Sequence, residues 1–240
     1  MTAPARPSNT PPVPAPTTLL ILAKEPIAGR AKTRLSPPCT SDQAAQLARI
    51  ALITTLDAAV RTVATHPILV LDGRPGPWLG DHSDIDVVPQ GKGGLADRIG
   101  DAFTAQSGTT LLIGMDTPHV STAALNDVIA TLRAPDVDAV LGPTDDGGWW
   151  VIGLNNPSLP AFVGVPMSTP ETGTAQAARL RELGLRVATV ATERDVDTFD
   201  DARIVARRLP DSEFARAVAK VEDTIPTVVD HSEPSCGDRS

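Results

Sequence analysis

Thr17-Thr18-Leu19-Leu20-Ile21-Leu22-Ala23, running on into Lys24-Glu25-Pro26-Ile27-Ala28-Gly29-Arg30-Ala31-Lys32-Thr33-Arg34, is the stretch on which the fold turns. Its first part is a short apolar run closed by a Pro- and Gly-containing loop, which predicts a buried strand. A long amphipathic segment follows, so parallel pairing through a helical crossover is favoured. Its second part holds four cations and one anion in a chain of net charge −8. Polyphosphate is the natural partner, since Lys offers point charges, Arg a bidentate fork, and Gly29 a close backbone approach. Ala31, not Gly, precedes Lys32, so the loop is not a Walker A motif, and it lacks the three spaced glycines of a dinucleotide fingerprint. A solvated basic loop is the plain alternative. Its place directly after the first strand favours binding.

Working outward, the spacing predicts a helix over 41–65, capped by Thr40 or Ser41, with an apolar stripe of Leu47, Ile50, Ala51, Ile53, Thr54, Leu56 and Val60. Strands are predicted over 68–72 and 85–88, a helix over 95–105, a strand over 110–114 and a helix over 121–132. Strands over 138–141 and 149–154, a helix over 171–183, a strand over 186–190 and a helix over 198–208 complete the order. This alternation reads as three-layer α/β/α with a mostly parallel central sheet and right-handed crossovers. Ligands of such sheets sit at the carboxyl ends of the strands, where Lys24, Asp72, Asp116 and the loop after Leu141 fall.

The bulk numbers agree with one domain over residues 17–221: 240 residues at 41% hydrophobic are enough to bury a full core. Residues 1–16, with Pro4, Pro7, Pro11, Pro12, Pro14 and Pro16, read as a disordered arm. Residues 222–240 carry −4 of the net charge and read as a disordered acidic tail. No basic surface suggests nucleic acid. Cys39 and Cys236 give neither a disulfide framework nor a metal spacing, which fits a reducing, cytoplasmic setting. No apolar run is long enough to span a bilayer or to serve as a signal peptide.

Three further motifs carry chemistry. In Gly114-Met115-Asp116-Thr117-Pro118, Asp116 stands at the end of an apolar strand, where its carboxylate suits Mg²⁺ or Mn²⁺ shared with substrate phosphate; a turn built by Asp and Pro explains the motif equally well. Gly142-Pro143-Thr144-Asp145-Asp146-Gly147-Gly148 joins two strands, and its acidic pair suits sugar hydroxyls or a base, although a plain turn remains open. Trp149 and Trp150 then alternate across the sheet, so at most one of them faces substrate. Asp195-Val196-Asp197-Thr198 reads, on its own, as a helix cap. His66, His82, His119 and His231 show no ligand spacing.

Taken in order, Lys24-x-Pro26, Gly29, Lys32-Thr33-Arg34-Leu35, Gly114-x-Asp116-x-Pro118, Gly142-Pro143, Asp146-Gly147-Gly148, Ser168-Thr169 and Asp195-Val196-Asp197-Thr198 resemble a bacterial GT-A-type glycosyltransferase family, sometimes labelled arsenosugar-biosynthesis glycosyltransferases. The likeness runs from about residue 17 to 210. It implies the nucleotide-diphospho-sugar transferase fold, shared with molybdenum-cofactor guanylyltransferase and phospholactate guanylyltransferase. It also implies that Asp116 holds a metal and that Asp197 supplies a second ligand, which displaces the cap reading of Asp197. The chain departs from the family pattern at Gly94, where an acidic residue is usual, and at Met167, where Trp is usual.

The resulting expectation is a metal-dependent glycosyltransferase using a nucleotide-diphospho-sugar and a small-molecule acceptor. Asp116, Lys32 and Arg34 carry the chemistry; Lys24, Gly29, Thr33, Asp72, Gln90, Arg98, Asp146, Gly147, Gly148, Ser168 and Thr169 bind the substrates; Asp116 and Asp197 hold Mg²⁺ or Mn²⁺. The runner-up is nucleotidyl transfer from a nucleoside triphosphate with release of pyrophosphate. A nucleotide-binding scaffold without turnover is the reading from a different class.

Overall fold

Parallel pairing of the first strand, expected from its apolar run, is the feature that organises the molecule. The computed structural model describes residues 16–63 and 65–225, so the expected arm and most of the expected tail lie outside the described residues. Strands β1 (Thr17–Lys24), β2 (Thr65–Asp72), β3 (Asp86–Pro89), β4 (Thr110–Gly114), β5 (Ala139–Pro143), β6 (Trp149–Leu154) and β7 (Val187–Thr189) form one sheet in the order β3-β2-β1-β4-β6-β5-β7. All neighbours are parallel except β6, which runs antiparallel to both β4 and β5. The helices are α1 (Ser41–Arg61), α2 (Leu95–Thr104), α3 (Thr122–Leu132), α4 (Thr172–Glu182), α5 (Phe199–Arg208) and α6 (Glu213–Glu222). The chain winds from β1 to β2 and β3 on one side, then returns to add β4 on the other side of β1. That reversal opens a crevice between the carboxyl ends of β1 and β4, the usual ligand position in open α/β sheets.

Two cores flank the sheet. On one face Leu19, Ile21, Leu69 and Ile113 meet Leu52 and Leu56 of α1 and Leu125 and Ile129 of α3. On the other, Leu20, Val70, Leu112 and Ile152 meet Ile99 and Phe103 of α2 and Leu180 of α4. Alternating residues of each strand thus serve opposite helical layers, as expected for strands covered on both faces.

Two predicted features are corrected. The first helix ends at Arg61, not at 65, and Thr65 already pairs in β2. Thr62 is in extended conformation, and His66 precedes Pro67, a position that disfavours the α region. Val60, assigned to the apolar stripe, is exposed; Thr55, Ala58 and Ala59 are buried in its place. Thr40 is the N-cap, within a capping box with Gln43.

Helix α6 was not anticipated. Ser212 caps it, and Phe214, Val218 and Val221 lie at one-turn spacing on its buried face. They pack with Phe199, Ala202 and Val205 of α5 against Leu47 and Ile50 of α1, forming a third core that also encloses Cys39, Leu35 and Val196. Glu222 closes this helix and pairs with Arg203, and Ile225 packs partly against the same core. Burial raises the Cys39 thiol pKa, so this cysteine is a packing residue.

Candidate active site at the sheet reversal

The basic loop leaves β1 and turns at Gly29 (φ 75°) into a short 3-10 turn over Thr33–Leu35. Lys32 caps that turn in the left-handed region, φ 51°, and Ser168 is the other described non-glycine residue at positive φ, 60°. Such conformations cost about 1–3 kcal/mol each and gather at functional sites. Here both residues line one cavity of about 410 Å³, with Lys24, Arg30, Thr33 and Arg34. The cavity reaches across the β1/β4 crevice to Asp116 and Asp197.

Lys32 turns inward. Its ammonium lies 2.7 Å from Asp116 Oδ1 and 3.4 Å from Asp197 Oδ1, and it donates to the carbonyl of Val196. Burial alone lowers a lysine pKa, but Asp116 and then Asp197 more than offset it, and the net shift is upward. Lys32 is therefore a fixed cation. Arg34 NH1 pairs with Asp197 Oδ2 at 3.0 Å but stays largely in solvent.

The strand after α4 brings the second acidic motif alongside. Thr144 and Glu193 form a parallel bridge beyond β5 and β7, and Val196 N donates to Asp116 O at 2.8 Å. These backbone contacts carry Asp195 and Asp197 to the Asp146 loop, where one carboxylate oxygen from each of the three acids lies within 4.8 Å of the others. Val196 is buried between Asp195 and Asp197, both of which line the second cavity. Thr198, not Asp197, caps α5, in a capping box with Asp201. Asp197 is thereby free for the cleft. Burial, followed by the charges of Asp146 and Asp197, pushes the Asp195 carboxyl up to about 6, although Lys32 opposes the shift.

The predicted residues divide by position. Lys24, Thr33, Arg34, Gln90 and Arg98 line the first cavity with Lys32 and Asp116. Asp146, Gly148, Ser168 and Thr169 line a contiguous second cavity of about 610 Å³. Gln90 donates to the carbonyls of Ala23 and Val70 and accepts from Arg98, so it braces the β1/β2 edge. Asp72 lies beside Arg98 at 3.8 Å and is half-exposed. Gly147 stands behind the wall at φ 90°, and an added Cβ would fall 2.0 Å from Pro170 O. Gly29 turns the loop at φ 75°, and a Cβ added there would meet nothing within 4 Å.

Four further residues bear on the site, of which Asp145 and Trp149 already stood out in the sequence as members of the acidic and tryptophan pairs. Asp195 was legible as the i−2 partner of Asp197. Asp145, the other half of the acidic pair, is held by Arg194 at 2.7 Å and leaves Asp146 for the cleft. His119 is buried and bonds Glu193 Oε2 through Nε2 at 2.9 Å, tying the Asp116 loop to the Asp195 loop; burial lowers its pKa, against the pull of Glu193. Trp149 and Trp150 both border the second cavity; Trp149 is half-buried, whereas Trp150 is buried and donates from Nε1 to Ala191 O.

This geometry can be set beside known proteins. Residues 55–169 match the family described as "Uncharacterized protein conserved in bacteria (DUF2064)", a span that holds Asp116, Asp146 and Ser168 but ends before Asp195. No curated protein matches significantly. A structure from Desulfovibrio desulfuricans G20, provisionally named a nucleotide-diphospho-sugar transferase, superposes with a TM-score of 0.75 at 23% identity over 86% of this chain and 94% of that one. The fold is that of the nucleotide-diphospho-sugar transferases. A CMP:2-keto-3-deoxy-manno-octonic acid synthetase in complex with CTP shares this transferase fold at a TM-score of 0.55, 11% identity, 81% of this chain and 98% of that one. So does 4-diphosphocytidyl-2C-methyl-D-erythritol synthase, at 0.55, 14%, 82% and 100%. Among the described residues no helix is long and apolar enough to cross a membrane.

Proposed function

We propose that this chain is a metal-dependent glycosyltransferase that uses a nucleotide-diphospho-sugar. The observation that carries the reading is the meeting of a four-cation loop and a carboxylate cluster across one crevice, at the sheet reversal. Lys24, Arg30 and Arg34 offer charge to a diphosphate, with Lys32 held as a fixed positive centre beside it. The oxygen-only set of Asp146, Asp195 and Asp197 suits a hard cation, Asp197 belongs to both this cluster and the Lys32 pair, and Asp116 is linked to it through Lys32. Mg²⁺ or Mn²⁺ bound there would supply Lewis-acid neutralisation of the departing nucleotide. The chain's own part is to orient the diphosphate, to hold the acids in register through the His119–Glu193 link, and to keep the transferred group in the second cavity.

Nucleotidyl transfer is the second reading, supported by the fold shared with the CTP-bound synthetase. The deciding experiment incubates the protein with Mn²⁺ and either nucleotide-sugars or nucleoside triphosphates, with cell extract as the acceptor source. Release of nucleoside diphosphate from a nucleotide-sugar is expected, reduced about 100-fold or more by Asp116→Asn. Acceptor-dependent pyrophosphate release from a triphosphate would establish the second reading instead.

A further inference from the structure

The second cavity has two unlike walls. One is acidic: Asp116, Asp146, Asp195 and Asp197 border it, opposed by Lys24 and Arg34, and Arg34 is already paired with Asp197. The other is apolar, built by Leu95, Ile99, Met167 and the half-buried ring of Trp149, all packed with the α2/α4 core. The indole Nε1–H of Trp149 is buried with no hydrogen-bond partner, whereas the neighbouring Trp150 has one. A buried donor ordinarily finds a partner.

We infer that this cavity is the acceptor subsite and that it takes an uncharged, hydroxyl-bearing molecule with a flat apolar face, which lies on Trp149. The inference rests on the transferase reading above and adds the chemical class of the acceptor. Carboxylates repel a phosphorylated or carboxylated acceptor, and four of them border this cavity. Hydroxyls, by contrast, donate to carboxylates. An aromatic or pyranose face covers the ring of Trp149 without leaving polar groups unmet against Leu95 and Ile99.

The test measures dissociation constants by ligand-observed NMR in the presence of Mn²⁺ and a nucleoside diphosphate, with two probes: phenyl β-D-glucopyranoside, neutral and flat-faced, and glucose 6-phosphate, an anion. The neutral probe should bind, glucose 6-phosphate about tenfold more weakly or worse, and Asp195→Asn should narrow that gap. Trp149→Ala should weaken the neutral probe by about tenfold, and Trp149→Phe should restore most of the loss. Equal or tighter binding of glucose 6-phosphate, no saturable binding of the phenyl glucoside, or indifference to both Trp149 variants would overturn the inference. A nucleoside-diphosphate thermal shift on the same samples separates the two proposals. Its absence with the probe pattern intact rejects the transferase reading and leaves the subsite, whereas its presence without the pattern rejects the subsite alone.

Discussion

Lys32 Nζ lies 2.7 Å from Asp116 Oδ1, so the cation expected to meet phosphate and the acid expected to meet metal neutralise each other across the β1/β4 crevice. The Lys32 side chain is 9% exposed and Asp116 40%, which makes the ammonium the desolvated partner. Lys32→Met should therefore lower the stability of the metal-free protein by about 1–3 kcal/mol, less than for a fully buried pair because solvent screens both carboxylates. Mn²⁺ should raise the Tm of the variant by more than that of the wild type, since the acids lose their internal counter-ion. Urea unfolding of the metal-free proteins checks the first and thermal melts with and without Mn²⁺ the second, and an unchanged urea midpoint would show that the pair contributes nothing.

Asp195 sets a pH dependence whose sign follows from its raised pKa. The folded state, with the carboxyl at about 6, holds the proton more tightly than the unfolded chain near the ordinary 3.8. The stabilisation from this proton is full below about pH 4 and is lost as pH rises through about 6. At pH 8 Asp195→Asn should be more stable than wild type by about 1–2 kcal/mol after discounting for solvent, with the gap closing toward pH 4. Mn²⁺ competes with the same proton, so its affinity should rise through about pH 6. Calorimetric titrations at pH 5 and 7.5 would detect this, and a flat profile would remove Asp195 from the metal set.

Gly147 and Gly29 separate backbone strain from collision. A Cβ at Gly147 meets Pro170 O at 2.0 Å with φ at 90°, whereas at Gly29 nothing lies within 4 Å. Gly147→Ala should cost roughly 2–4 kcal/mol and disturb the Asp146 loop, because Gly173 N also bonds Gly147 O at 2.8 Å. Gly29→Ala should cost only the left-handed strain, about 1 kcal/mol. Thermal melts of the two variants would reveal the ranking, and equal losses would refute it.

Phe214 tests whether α6 belongs to the domain. It is 1% exposed and packs between α5 and α1. Phe214→Ala should destabilise by about 3–5 kcal/mol, with the unfolding transition still single. A loss under 1 kcal/mol would mean that α6 packs as an appendage.

Long, periodic elements were readable along the chain because their pattern is local. The run Thr17–Lys24 and the strand before Asp116 declare themselves as nearly continuous apolar segments, and the α2 segment through apolar residues at helical spacing. Helix α6 also carried a local signal, Ser212 followed by Phe214, Val218 and Val221, obscured by the acidic, Pro-containing sequence just beyond it. The end of α1 was misplaced because the signal of Pro67 after His66 was passed over, and the pairing of Thr65 with Thr17 carries the strand further back than that signal alone would.

By itself the sequence determined the α/β order, the mostly parallel sheet, the basic loop after the first strand and the acid after the fourth, because each depends on residues within a few positions of one another. The tertiary structure decided which acids meet. Asp146 and Asp195 approach only because Thr144 pairs with Glu193, and Asp116 joins Lys32 only because β4 lies beside β1. It also decided that Asp145 pairs with Arg194 while Asp146 enters the cleft, and that Trp150 is buried with one core while Trp149 stays half-buried against the other. Charge–charge coupling and desolvation act through space, so the raised Asp195 pKa and the fixed charge of Lys32 exist only once distant segments share one crevice.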